Sequence, residues 1–222
     1  MPTARNVTIA LDGEAKVSGL WLKPAKARAC LVLAHGAGAG MAHPSMTALA
    51  DGLAARGIAT LRYQFPYMQR GSKRPDPPAI AHTVVRAAAA EAARLAKKLP
   101  LFAGGRSFGG RMTSQAQASA GLPGVRGLVF FAFPLHPAGT PGTTRADHLD
   151  EIELPMLFLQ GTRDALAGLD LLWPVLARLG PHATLILAQD ADHAFHVPAK
   201  TGRKDADVLA EILDAAAAWM VR

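Results

Sequence analysis

Short apolar runs and longer alanine-rich stretches alternate along the chain. The short runs are rich in Val, Leu, Ile and Phe and predict strands, whereas the longer stretches carry apolar residues at helical spacing. The predicted strands span residues 6–11, 17–23, 29–34, 57–63, 101–103, 125–133, 156–160 and 184–187. The predicted helices span residues 44–56, 79–99, 109–120, 169–179 and 204–220. This alternation is typical of a mostly parallel twisted sheet with helices on both faces, so we predict an α/β fold.

Turn-forming residues separate these elements. Asp12 and Gly13 predict a tight turn that joins the first two strands as an antiparallel hairpin. The basic stretch 69–78 and the Pro- and Gly-rich stretch 134–144 are predicted loops. About 20 residues separate Phe133 from Pro155, which is too few for a lid of several helices. We therefore predict a site that is open to solvent.

Length and composition favour a single domain over residues 1–222, because half of these residues are hydrophobic and can bury one substantial core. No apolar run approaches the roughly 20 residues that cross a bilayer, and Glu14 and Lys16 interrupt the amino-terminal region. We expect no membrane association and a cytoplasmic location. The lone Cys30 lies inside an apolar run and is predicted to be a buried strand residue.

The formal net charge of +7 raises the question of an acidic partner. Nucleic-acid binders concentrate Lys and Arg on one face, often with aromatic residues between them. Here the densest basic group is Arg70, Lys73 and Arg74, and the chain has only two tyrosines. We therefore expect no nucleic-acid partner. The composition gives no indication of the oligomeric state.

One motif carries the first chemical prediction. Gly105, Ser107 and Gly109 form the pattern G-x-S-x-G, and it falls between a predicted strand and a predicted helix. A nucleophilic serine at such a turn must expose its hydroxyl, and side chains at the flanking positions would clash with the neighbouring strand and helix. The pattern predicts that Ser107 is the nucleophile of a strand–turn–helix elbow. A serine in a tight turn without a catalytic role is the alternative.

A serine hydroxyl needs a base to take its proton and a carboxylate to orient that base. Asp164 and His193 follow two successive predicted strands, in the chain order Ser, Asp, His. Loops at the carboxyl ends of strands are where catalytic residues of open α/β sheets gather. We predict Asp164 as the acid and His193 as the base, with Asp170 and His196 as their rivals.

The negative oxygen of a tetrahedral intermediate requires backbone amides that point at it. The residue after the nucleophile, Phe108, is predicted to supply one amide, and the glycine-rich loop after strand 29–34 the other. We choose Ala37 as that second donor. His35 precedes the glycines of this loop and is interpreted as a structural brace rather than a catalytic group.

Four segments, residues 35–38, 105–111, 161–164 and 192–193, together resemble the α/β-hydrolase superfamily over nearly the whole chain. Within it, the chain is similar to the compact, lidless dienelactone-hydrolase-like branch. Segments 133–137 and 193–198 resemble more narrowly a small bacterial group related to the eukaryotic testis-expressed protein 30 and to subunit 3 of a histone-acetyltransferase-associated complex. The resemblance implies an intact hydrolase core. Dienelactone hydrolases use cysteine where this chain has Ser107, so it does not imply a dienelactone substrate.

These residues predict a serine hydrolase that cleaves a small carboxylic ester or thioester through an acyl-serine intermediate, with no metal and no organic cofactor. Two alternatives stay open: a non-catalytic interaction module that keeps the fold, and a serine peptidase or acyltransferase on the same scaffold. The intact set of Ser107, Asp164 and His193 argues against the interaction module.

Several basic residues lie near the predicted carboxyl-end face of the sheet: Arg62, Arg70, Lys73, Arg74, Arg106, Arg111 and Arg163. Such a group focuses a positive field on the mouth of a site. We name Arg74 and Arg111 as candidates to hold a carboxylate or phosphate at the substrate end away from the scissile bond. The alternative is that these side chains brace the elbow or are simply solvated.

Overall fold

The computed structural model describes residues 2–11 and 13–222, and within these residues eight strands form one sheet in the order β1-β2-β4-β3-β5-β6-β7-β8. The strands are β1 (Arg5–Ala10), β2 (Lys16–Leu22), β3 (Ala29–Ala34), β4 (Ile58–Tyr63), β5 (Leu101–Arg106), β6 (Val125–Phe131), β7 (Met156–Gly161) and β8 (Ala183–Ala188). Strands β3 to β8 are parallel to one another, whereas β2 pairs antiparallel with both β1 and β4. The antiparallel β1–β2 pair was predicted. Asp12 of the predicted hairpin turn lies outside the described residues.

Helices cover both faces of the sheet. They are α1 (Pro44–Ala55), α2 (Pro66–Gln69), α3 (Pro78–Ala96), α4 (Phe108–Ala120), α5 (Leu169–Leu179) and α6 (Asp205–Met220), with short 3-10 helices at Thr144–Glu151, Gly180–His182 and Ala199–Thr201. The largest core cluster packs beneath α3, α4 and α5, and the second largest packs beneath α1 and α6. The predicted α/β class is confirmed.

Strand β3 shows how the sequence pattern builds these two cores. Cys30 and Val32 point into the cluster under α3, whereas Leu31 and Leu33 point into the cluster under α6. Successive side chains of a strand face opposite sides, so a strand covered on both faces is apolar throughout. Cys30 is fully buried as predicted, and burial raises the pKa of its thiol to about 12.

The main differences from the predicted elements lie beside the site. The predicted strand 101–103 continues to Arg106 and includes Gly104. Strand β6 runs so close to this position that a Cβ at Gly104 would lie 1.8 Å from the Val129 carbonyl oxygen. The glycine pair therefore belongs to a strand rather than to a loop. The short helix α2 was not predicted, and helix α3 ends at Ala96 rather than at Leu99.

The segment between β6 and β7 contains one 3-10 helix, Thr144–Glu151, as its only regular element among the described residues. This short insertion confirms the prediction that the fold has no sizeable lid. None of the helices in the described part of the chain is long and apolar enough to cross a membrane.

Candidate active site

Ser107 lies at a sharp turn between β5 and α4. Its backbone has φ 51° and ψ −117°, a conformation that an L-residue rarely adopts and that the neighbouring structure must hold in place. Its amide donates a 3.0 Å hydrogen bond to the Phe131 carbonyl of the adjacent strand. A Cβ at Gly109 would lie 2.5 Å from the His35 carbonyl oxygen, and one at Gly105 would lie 2.4 Å from the Ala34 carbonyl oxygen. The flanking glycines therefore allow the close packing on which this turn depends.

Three side chains predicted from separate parts of the sequence meet at this turn. The Ser107 Oγ lies 2.8 Å from the His193 Nε2, and the His193 Nδ1 lies 2.7 Å from the Asp164 Oδ2. With its proton on Nδ1, the imidazole donates to the carboxylate and accepts from the serine hydroxyl. The structure thus brings Ser107, His193 and Asp164 into one chain of hydrogen bonds.

Asp164 is held by donors on both carboxylate oxygens. Its side chain is fully buried; Oδ1 accepts from the Leu166 amide at 2.8 Å, and Oδ2 accepts from the side-chain amide of Gln160 as well as from His193. Gln160 is itself fixed, because its Oε1 accepts from the Phe133 amide at 3.0 Å. The sequence analysis did not find Gln160, which sits at the end of the apolar strand β7 and has no motif around it.

The rival residues lie elsewhere. His196 is exposed and pairs with Asp205, and the hydrogen bond to that carboxylate raises the pKa of the imidazole. Asp170 is exposed in the first turn of α5. Neither belongs to the hydrogen-bonded chain that ends at Ser107.

The two amides predicted to bind an oxyanion border the same cavity as Ser107. This cavity of about 350 Å³, which we call the Arg111 cavity, is lined by Ala37, Ser107, Phe108, Arg111 and Arg145, among others. Within the described residues, neither the Ala37 amide nor the Phe108 amide donates to a protein acceptor. Both donors are thus available to an oxygen atom of a substrate.

His35 braces the loop that carries Ala37. It is fully buried; its Nδ1 donates to the Gly36 carbonyl at 2.8 Å and its Nε2 accepts from the Phe65 amide at 3.1 Å. Burial lowers the pKa of His35 to about 4, so the imidazole is neutral at pH 7. These bonds fit the structural role expected from its position before the glycines.

A second serine–histidine pair lies behind the elbow. The Ser114 Oγ is 2.7 Å from the His148 Nε2, and the same hydroxyl contacts the Arg111 carbonyl. Ser114 is fully buried, and no carboxylate within the described residues makes a hydrogen bond to His148. Burial lowers the pKa of His148 to about 4, which makes this imidazole a weak base. The pair lacks both the access and the orienting acid that a nucleophile requires.

The basic residues divide into those that reach the site and those that do not. Arg111 lines the cavity named after it, whereas Arg74 lines an adjoining depression in the loop before α3, which shares Pro75 and Asp76 with that cavity. Arg62 is buried and donates to the Met41 carbonyl at 3.0 Å, away from Ser107. Arg145 lies in the Arg111 cavity and was not predicted, because no local signal places residue 145 near residue 107.

Arg106 borders a second cavity of about 360 Å³, which also contains Ser107 and His193 and which we call the His193 cavity. Leu166 and Ala37 border both cavities, so the two meet at the serine. Throughout residues 2–11 and 13–222, no cluster of three or more His, Cys, Asp or Glu side chains could hold a metal ion.

Comparison with known protein families places this arrangement in a known context. The family described as Alpha/beta hydrolase domain matches residues 27–221, which includes every residue of the hydrogen-bonded chain. This chain belongs to that family. The α/β-hydrolase fold of the chain is also shared by solved structures of low sequence identity.

Three solved structures illustrate that likeness. A dienelactone hydrolase from Anabaena variabilis has a TM-score of 0.79 and 21% identity, over 98% of this chain and 96% of its own. A Xanthomonas campestris protein described as a serine hydrolase without lid has a TM-score of 0.75 and 22% identity, over 98% and 95%. An alpha-beta serine hydrolase homologue from Coxiella burnetii has a TM-score of 0.75 and 18% identity, over 100% and 98%. At these identities, the likeness shows that this α/β-hydrolase shares their fold.

Proposed function

We propose that this α/β-hydrolase is a serine hydrolase that cleaves a small carboxylic ester or thioester through an acyl-serine intermediate. The observation that carries the proposal is the hydrogen-bonded chain from Ser107 through His193 to Asp164 at a strained strand–helix turn. Ser107 is the nucleophile, His193 the general base and Asp164 the group that orients the imidazole.

The reaction follows from the geometry around the serine. His193 Nε2 takes the hydroxyl proton as Ser107 Oγ attacks the carbonyl carbon, and the Nδ1–H bond to Asp164 stabilises the imidazolium that forms. The Ala37 and Phe108 amides donate hydrogen bonds to the negative oxygen of the tetrahedral intermediate. Such donors typically contribute on the order of 10²-fold or more to the rate. His193 then protonates the leaving group, and a water molecule activated by the same imidazole releases the acid.

The two cavities that meet at Ser107 support a small substrate. Each holds about 350 to 360 Å³, at the lower end of the roughly 300–1,000 Å³ of ligand pockets. No lid covers them in the described part of the chain, so the proposed substrates carry short acyl groups or are soluble. A peptide or an acyl acceptor other than water would use the same first step, and product analysis distinguishes these outcomes.

Within the family, we propose the narrower relationship to the bacterial group related to testis-expressed protein 30 and to subunit 3 of a histone-acetyltransferase-associated complex. Segments 133–137 and 193–198 support it. They lie beside the site, since the Phe133 amide donates to Gln160 and segment 193–198 begins with His193. A cytoplasmic location stays a prediction.

Labelling by a fluorophosphonate probe tests the proposed nucleophile. We expect the wild-type protein to be labelled and Ser107→Ala to lose both labelling and ester hydrolysis while its fold is retained, since removing this hydroxyl leaves no core cavity. Ser114→Ala is the matched control, because it removes another serine hydroxyl that contacts a histidine. Labelling that persists in Ser107→Ala, or that disappears only in Ser114→Ala, would overturn the assignment. An unlabelled wild-type protein would favour an interaction module.

A further inference from the structure

Two arginines without acid partners lie in the cavity that contains the serine. Arg111 and Arg145 both line the Arg111 cavity. Within the described residues neither makes an ion pair, although other arginines such as Arg56 and Arg178 do. Arg145 donates to the His136 carbonyl at 2.9 Å, and the guanidinium of Arg111 packs 5.8 Å from the ring centre of Phe108. Both side chains are thus positioned by neutral groups.

Holding two guanidinium groups near each other without an acid partner costs stability, which indicates that the arrangement serves a ligand. The Nε of Arg111 is buried and finds no hydrogen-bond partner among the described residues. Burial is the larger cause that lowers the pKa of Arg111, and the charge of Arg145 is the smaller one. Burial also lowers the pKa of Arg145. Two like charges that are partly removed from water destabilise a folded protein unless an anion offsets them.

The groups around this pair do not supply that anion. Asp76 is the one carboxylate that borders the cavity among the described residues. Its oxygens already accept from Arg70 at 2.5 Å and from the Tyr67 amide at 2.8 Å. His148, which lies near Arg111, has a pKa lowered to about 4 by burial and by the charge of Arg111, so it adds no charge at pH 7. The positive charge of the cavity is therefore left for a bound ligand.

The position of His193 assigns the two cavities to the two halves of a substrate. The base returns its proton to the leaving atom, so the leaving group lies on the side of His193. The His193 cavity contains that imidazole, whereas the Arg111 cavity does not. The Arg111 cavity therefore receives the acyl group.

We propose that the acyl group of the natural substrate ends in a carboxylate that Arg111 and Arg145 bind, which makes the substrate a half ester or half thioester of a dicarboxylic acid. This inference rests on the proposed serine hydrolase function. A guanidinium can donate two parallel hydrogen bonds to a carboxylate, which supplies orientation as well as affinity. Arg74 lines the adjoining depression and is not among the residues that line this cavity.

The kinetic test compares two p-nitrophenyl esters of equal length, the half ester of adipic acid and the corresponding ester of adipic acid monoamide. We expect the wild-type protein to prefer the charged ester by about tenfold or more in kcat/KM at low salt, with a preference that shrinks as salt is added. Arg111→Met, which keeps the packing on Phe108, and Arg145→Gln should each reduce the ratio of the two rates to within about threefold. Arg74→Gln is the matched control and should leave the ratio unchanged.

Equal rates for the two esters at low salt would overturn the proposal, as would a preference that survives in both Arg111→Met and Arg145→Gln. A binding measurement separates this outcome from failure of the proposed function. Calorimetry with Ser107→Ala should show binding of the adipic acid monoamide anion but not of neutral adipamide, and adding Arg111→Met should abolish that binding. If the wild-type protein hydrolyses neither ester, the serine hydrolase assignment fails, and the calorimetric result alone decides whether the anion site exists.

Discussion

The hydrogen bonds around Asp164 determine what an asparagine at this position would do. Every contact of the carboxylate comes from a donor: the Leu166 amide to Oδ1, and the Gln160 amide and the His193 imidazole to Oδ2. An asparagine must place its NH₂ group on one of these two sides. On the first side it faces the Leu166 N–H, and on the second it faces the NH₂ of Gln160, which cannot turn over because its oxygen is engaged by the Phe133 amide.

Asp164→Asn should therefore damage both activity and stability. Placing the NH₂ beside His193 forces the proton of the imidazole onto Nε2, where it can no longer accept from Ser107. In serine proteases this wrong tautomer lowers kcat about 10⁴-fold, equivalent to about 5 kcal/mol of activation free energy. One donor facing another in a buried site should also lower the free energy of unfolding by about 1–3 kcal/mol. Initial rates with a short-chain p-nitrophenyl ester and urea unfolding measure the two effects.

A second substitution separates the two effects. Gln160→Glu in the Asp164→Asn background supplies a carboxylate that can accept from both the Phe133 amide and the asparagine NH₂, so stability should recover. The imidazole would still carry its proton on Nε2, so kcat should stay low. Recovery of kcat in the double variant, or an Asp164→Asn variant within tenfold of wild type, would refute the tautomer argument. Asp170→Asn, at an exposed position, serves as the near-neutral control.

Four further predictions concern other parts of the site. His193→Ala should cost about as much activity as loss of the serine, because such residues act as a unit, whereas the exposed His196→Ala should cost far less; equal losses would leave the base unassigned. Esters from acetyl to long-chain should show no steep rise in kcat/KM and no activation at a lipid interface, and a steep rise would contradict an open site. Gly109→Ala should lower the free energy of unfolding by at least about 1–3 kcal/mol, since its Cβ would overlap backbone atoms, and unchanged urea unfolding would disprove that packing argument. Burial lowers the pKa of His35 from 6.5 to about 4, so the unfolded chain binds this proton at a higher pH than the folded protein does. The contribution of His35 to stability should therefore be complete above pH 6.5 and fall by roughly 1.4 kcal/mol per pH unit down to pH 4. Urea unfolding of His35→Gln should show a decline over that range that is shallower than that of the wild-type protein by this amount.

The sequence predicts those parts of the site that depend on local spacing. The turn at Ser107 requires glycines two residues away on each side, and this requirement is visible in the chain itself. Asp164 and His193 could be located because parallel strands align their carboxyl ends, so that the order of the loops along the chain indicates which residues meet. The succession of strands and helices was also predicted closely, because apolar runs and helical spacing are local patterns of the sequence.

Residues that reach the site through packing of distant segments gave no such signal. Arg145 comes from a 3-10 helix in a Pro- and Gly-rich segment predicted largely as loop, and its approach to Arg111 depends on how that segment folds over α4. Gln160 looks like one polar residue at the end of an apolar strand. Arg74 was predicted near the site because its loop follows β4, and its side chain lines the depression that adjoins the Arg111 cavity rather than that cavity itself.

The position of β8 has a consequence for how the protein loses activity. This strand is the last in the sheet and its residues are mostly half-exposed, whereas β5, which leads to Ser107, is buried near the centre. Local opening starts in elements held by few apolar contacts. Fraying of the β8 edge would carry His193 away while the nucleophile elbow stays folded. On heating, we therefore expect reversible inactivation before the cooperative melting of the core, with faster hydrogen exchange along β8 than along β5.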